Sequence, residues 1–133
     1  MTRVFVDTSA VLALVNPDDE QHATARQAFQ VLSSSSATLV TTSYILVELY
    51  ALLGRRMGMK AVEQFREALA PRVEVVWVDH DLHEAALDLL INRDERHLSL
   101  VDAVSFLAIR RLRLDAAFAC DRHFRDEGFE TVP

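Results

Sequence analysis

Short runs of apolar, strand-length residues alternate along this chain with stretches of helical patterning, and that alternation constrains the fold more than any other feature. Residues 3–6, 38–41, 73–78 and 116–119 read as strands, with 130–132 as an edge strand. Between them lie helices over 8–15, 20–32, 60–70 and 80–92. A further helix starts at Ser43 as its N-cap and runs to 56, where Gly58 breaks it. Another opens at Ser99 and runs to 112, and a short helical turn covers 121–126. Apolar strands separated by helices call for a parallel sheet covered on both faces. In such sheets ligands bind at the carboxyl ends of the strands, near a topological switch point.

The bulk properties agree with one domain over residues 1–133, since half the residues are apolar and a core can be buried. No apolar run of about 18 residues exists to span a membrane. The opening residues lack a signal-peptide layout, which points to the cytoplasm. Cys120 is the sole cysteine, so neither a disulfide framework nor a cysteine zinc site is available. The net charge of -6, from 20 acids against 14 bases, has the wrong sign for a generic nucleic-acid binder. It does not exclude a nuclease, because acids that hold metal ions are neutralised in use. The bases also cluster, as Arg55, Arg56 and Lys60, as Arg110, Arg111 and Arg113, and as Arg122 and Arg125. Each cluster equally fits a solvated helix end favoured by the dipole.

Most acids sit in polar company, but four do not. Asp7 ends the first strand and precedes an apolar helix. Glu48 is the sole charge between Thr42 and Gly54, in a helix apolar nearly all round and therefore expected to be buried. Asp102 lies in Leu98-Ser-Leu-Val-Asp-Ala-Val-Ser-Phe, and Asp121 directly follows the fourth strand. A buried, unpaired carboxylate is strongly penalised, so each needs a cation, hydrogen bonds or a proton. Capping offers a structural reason for three of them. Asp7 and Asp121 can be N-caps, and Ser99-x-x-Asp102 resembles a capping box. Glu48 has no such reason, since Tyr44, Ile45, Ala51 and Leu52 occupy its helical neighbour positions; a distant arginine is its structural alternative.

In the parallel-sheet arrangement these four acids can converge on one cleft, and converging carboxylates repel unless a cation neutralises them. Oxygen-only ligands suit Mg²⁺ or Mn²⁺ rather than zinc. Sites of this kind carry out phosphodiester chemistry.

Val6-Asp7-Thr8-Ser9, Glu48, Leu98-Ser-Leu-Val-Asp102-Ala-Val-Ser105 and Ala119-Cys-Asp121-Arg-His-Phe124 together resemble a PIN-domain protein, specifically a VapC-type toxin of a toxin–antitoxin pair. The order, spacing and length fit over essentially the whole chain. The resemblance implies a three-layer α/β/α sandwich with a central parallel sheet of four to five strands. It implies RNA cleavage dependent on Mg²⁺ or Mn²⁺, a homodimer, and inhibition by a cognate antitoxin whose C-terminal segment covers the site. By the same resemblance Asp7, Glu48, Asp102 and Asp121 are the catalytic and metal-site acids. Asp7 and Asp102 would be direct ligands, with Glu48 and Asp121 positioning a water or a second metal. Thr8 or Ser9 would contact a metal-bound water or phosphate. The His123–Phe124 pair reads as structural, with His123 near the surface. His22 and His97 share no metal-ligand spacing with the others, and His80 and His83, three apart at an exposed helix start beside Asp79, Asp81 and Glu84, read as surface residues. The helices at 44–53 and 60–70, with Phe65 and Leu69, carry apolar surface that an amphipathic antitoxin helix would fill if they are not simply core.

Two other functions remain open on the residues alone. An acidic-pocket phosphotransfer protein would want a lysine late in the fold, and Lys60 is the only lysine; a dehalogenase-like pattern would want an acid where Ser9 stands. A catalytically silent protein-binding module would be expected to have lost acids, and all four are present.

Overall fold

The computed structural model describes residues 2–133. Five strands form one parallel sheet in the order β3-β2-β1-β4-β5: β1 (Arg3–Val6), β2 (Thr38–Thr42), β3 (Val73–Val76), β4 (Ala116–Phe118) and β5 (Thr131–Val132). The chain builds β1, β2 and β3 outward in one direction, then returns to add β4 and β5 on the other side of β1. The switch point therefore lies between β1 and β4, where Val6 pairs with Phe118.

Successive strand residues face opposite ways, and this sorts the core into two layers. Val4, Val6, Leu39 and Phe118 pack beneath α1 (Thr8–Val15), α2 (His22–Ser34), α3 (Ser43–Met57) and α4 (Met59–Ala68). Phe5, Val40, Ala117 and Ala119 pack against α6 (Leu100–Leu112) and α7 (His123–Asp126), through Phe106, Ile109 and Phe124. Helix α5 (His80–Arg93) joins this second layer by packing Leu82 and Ala86 on Ala103 and Val104 of α6. The result is the three-layer α/β/α sandwich, with five strands.

The boundaries differ from the expected ones where a local hydrogen bond competes with the pattern. Thr42 rather than Ser43 caps α3, accepting from Ile45 N at 3.2 Å. Ser43 Oγ instead accepts from Val78 N at 2.9 Å, which draws Val78 out of the ladder and ends β3 at Val76. Asp19 accepts from Gln21 N in a turn, so α2 begins at His22, two residues later than its apolar pattern suggests. Helix α4 stops at Ala68, and Pro71 lies in a short 3₁₀ turn over Ala70–Arg72. Helix α3 is not apolar-buried all round: Ile45, Leu49 and Leu53 form its buried stripe, while Val47 is 70% exposed. Ile45, Leu46 and Leu49 of its 44–53 segment face Phe65 of α4 and Leu69 across a small apolar hollow inside the core. A larger apolar groove, about 520 Å³, lies between α1, α2 and α4 and takes only Met57 from α3.

Candidate active site

The switch point is built around Asp7. As β1 ends, Asp7 N donates to Phe118 O at 3.0 Å, and the side chain turns in to cap α1 by accepting from Ser9 N at 3.1 Å. Ser9 Oγ donates to the same carboxylate oxygen. That hydroxyl also accepts from Cys120 N at 2.9 Å and Asp121 N at 3.3 Å, so one serine clips the end of β4 to the end of β1. Ser9 is therefore a structural member of the site in its own right.

Asp121 follows immediately, and its Oδ1 accepts from His123 N at 3.0 Å in a tight turn. Asp102 comes from the first turn of α6, in a complete capping box: Ser99 Oγ accepts from Asp102 N at 3.1 Å, and Asp102 Oδ2 accepts from Ser99 N at 3.0 Å. Glu48 reaches the same place from α3. All four acids line one cleft of about 340 Å³. The capping roles and the site are compatible, because the caps are what hold Asp7 and Asp102 at the cleft edge.

The four acids are not equivalent. Asp7 is 4% exposed, and its pKa is pushed up from 3.8 to about 7. Burial is the main cause; the charges of Asp121 and Asp102 add to it, and the hydrogen bonds from Ser9 oppose it. Glu48 is only half-buried, which corrects the expectation that its apolar helix is buried; of the four acids it is Asp7 that is withdrawn from water. Glu48 was misjudged because an apolar helix can leave part of its apolar surface in solvent.

Two histidines also line the cleft. The His123 side chain is 31% exposed, as expected of a residue near the surface, but its Nδ1 is buried, lying 3.3 Å from Asp102 Oδ2 and 3.9 Å from Asp121 Oδ1 without a hydrogen bond aligned to either. His97 lines the cleft too, with its ring 5.7 Å from that of His123. Only their nearness to Ser99 and Asp121 in sequence hinted at this. His83 is half-buried and hydrogen-bonded to the Tyr44 hydroxyl, not a plain surface residue.

The donor set fits a hard divalent cation. The converging acids offer oxygen ligands, Asp7 is raised by uncompensated burial, and Thr8 Oγ1 is buried at the cleft with no hydrogen-bond partner. Among the described residues, no three His, Cys, Asp or Glu side chains are gathered tightly enough to coordinate an ion alone. A bound ion would therefore have to complete its shell with water or substrate oxygens.

A parallel α/β sandwich with an acid-lined cleft at its switch point is the class of protein this geometry defines. Residues 4–130 match the PIN domain family. Over 130 residues the chain is 38% identical to the 23S rRNA-specific endonuclease VapC20 of Mycobacterium tuberculosis, covering 97% of each. The crystal structure of that VapC20, a sarcin–ricin-loop-cleaving toxin, aligns with TM-score 0.82 over 95% of both chains. VapBC2 of Rickettsia felis, solved bound to a promoter DNA fragment, shares the fold at 11% identity, with TM-score 0.68 over 98% of this chain and 97% of that one. The chain belongs to the PIN-domain family, in its VapC branch.

Proposed function

We propose that this protein is a divalent-metal-dependent endoribonuclease and the toxin of a toxin–antitoxin pair. The observation that carries the reading is Asp7: an acid at the switch point, withdrawn from water, with two further aspartates raising its pKa and no cation beside it among the described residues. Asp7 and Asp102 would hold Mg²⁺ or Mn²⁺, with Glu48 and Asp121 orienting the attacking water or a second ion. Such an ion supplies an activated water and neutralises charge on the attacked phosphate. Ser9 keeps Asp7 and Asp121 at a fixed separation, and Thr8 Oγ1 offers a hydroxyl to a phosphate oxygen or ordered water. The phosphotransfer alternative gains nothing, since Lys60 is exposed on α4 and does not line the cleft.

The likeness to VapC20 makes ribosomal RNA the first substrate class to try. Incubation with 23S rRNA and with a sarcin–ricin-loop hairpin, in Mg²⁺ or Mn²⁺, should give discrete cleavage that chelator and Asp7→Asn both abolish. Absence of cleavage of both RNAs in both metals would remove ribosomal RNA as the substrate, and absence of cleavage of total cellular RNA as well would remove the ribonuclease reading.

The groove bounded by Leu14, Phe29, Phe65 and Leu69 is proposed to take an amphipathic helix of the antitoxin. The toxin itself is proposed to be a homodimer acting in the cytoplasm. Among the described residues no helix is long and apolar enough to cross a membrane. Light scattering on the purified chain, with and without the antitoxin encoded beside it, tests both assemblies.

A further inference from the structure

The cleft does not stop at the acids. It continues in two directions that differ in free charge. Past His97 and His123 lies a cavity of about 180 Å³ containing Arg93 and Glu127. Its cation is engaged: Arg93 bridges Glu95 at 3.1 Å and Glu127 at 2.9 Å. In the other direction a depression of about 240 Å³ shares Ser9, Leu12 and Asp121 with the cleft and is bounded by Arg56. Arg56 is exposed and has no hydrogen bond or ion pair among the described residues. It is the one lysine or arginine among the described residues lining the acidic cleft or the depression that continues it.

The placement follows from helix geometry. Glu48, Leu52 and Arg56 recur every fourth residue on α3, so they form one stripe along the cleft, with Arg56 about 12 Å from Glu48 along the axis. A basic residue in the last turn of a helix is ordinarily explained by the dipole. Arg55 meets that demand equally and does not line the cleft, so the dipole does not account for the facing of Arg56. Asp19, the other acid in the depression, is turned back to accept from Gln21 N at 2.8 Å. An acidic cleft in a chain of net charge -6 repels a polyanion except where an unengaged cation stands.

We propose that Arg56 is a phosphate-binding residue that holds the RNA backbone beside the cleaved bond, so that the strand runs along the α3 stripe from Glu48 toward Asp121 and Arg56. This rests on the ribonuclease reading for its substrate. On the other side, the one arginine among the described residues lining the cavity, Arg93, is already paired with Glu95 and Glu127.

The test measures binding of a fluorescein-labelled sarcin–ricin-loop hairpin RNA by anisotropy, in the Asp7→Asn background with Mg²⁺, across a salt series. Cleavage KM and kcat are measured in parallel with Asp7 intact. Arg56→Ala is expected to weaken binding and raise KM roughly three- to tenfold, and to reduce the slope of log K against log salt by about 0.7 to 0.9. It should leave kcat within about twofold and the melting temperature unchanged, with Arg56→Lys restoring the slope. Arg55→Ala, which removes the same charge one residue away, should move the slope far less. Equal slopes and affinities for Arg56→Ala and Arg55→Ala would overturn the proposal. If the native chain cleaves no RNA yet its RNA binding depends on Arg56, this proposal stands and the ribonuclease reading falls. If the chain cleaves RNA and binds it independently of Arg56, only this proposal falls.

Discussion

Asp7 and Glu127 are both withdrawn from water, and their surroundings push them in opposite directions. The Glu127 side chain is 8% exposed and lies between Arg93 and Arg110, bonded to both. The hydrogen bonds from Arg93 hold its pKa below the ordinary glutamate value, and those from Arg110 add to this. Asp7 is 4% exposed and has no ion pair among the described residues; its pKa rises to about 7. One acid has its cation supplied by the fold and ties α5, α6 and the segment after α7 together. The other has only a serine and two more acids. Buried charge completed by the chain is architecture, whereas on the proposed reading the buried acid left incomplete at the switch point is where a cation would bind.

The largest way to break this comparison is at Asp7. Asp7→Asn keeps the shape and removes the charge, so RNA cleavage in a gel assay should fall at least about a hundredfold. The melting temperature at neutral pH should not fall and should rise in metal-free buffer. The sign follows from linkage. The folded pKa lies above the unfolded one, so the metal-free native state holds more protons between them, and stability falls as pH rises from about 4 to about 7. The loss is at most about 4 kcal/mol across that window. Denaturant melts across pH should show the decline in the native chain and not in Asp7→Asn.

Glu127 should behave in the opposite sense. Glu127→Gln strands two arginines, and chemical denaturation should show a loss of about 2 kcal/mol with cleavage per folded molecule retained. Because the folded pKa of Glu127 is depressed, its contribution is present above the ordinary glutamate pKa and lost as pH falls through the lowered one. The smallest effect is expected at Ser9. Ser9→Ala leaves Cys120 N and Asp121 N without their acceptor, which should cost about 1 kcal/mol in the same denaturation measurement. It should also move the Asp7 midpoint upward, since the Ser9 bonds lower it.

The contrast between the two acids explains what could be read from the chain. Asp7 and Asp121 were legible because strand-to-helix junctions are local patterns, and a parallel sheet brings such junctions to one edge. Asp102 was legible for two reasons at once, and both hold, since its capping box also aims it at the cleft. Glu48 was placed in the right cleft on a mistaken premise, because apolar composition does not say which helix face the fold leaves open. The Glu127 pairs, the Ser9 clip across β1 and β4, and the meeting of His97 with His123 were not legible. They join residues 17 to 112 positions apart, and nothing in the local pattern marks either partner.

The central claim is that Asp7 is an acid kept short of a cation, and calorimetric titration of Mg²⁺ or Mn²⁺ into metal-free protein at pH 7, in two buffers of different ionisation enthalpy, tests it most directly. With a pKa of about 7, Asp7 should give up roughly half a proton on binding, and Asp7→Asn should abolish both the proton release and most of the affinity. Metal binding that releases no proton, or that proceeds unchanged in Asp7→Asn, would contradict the account.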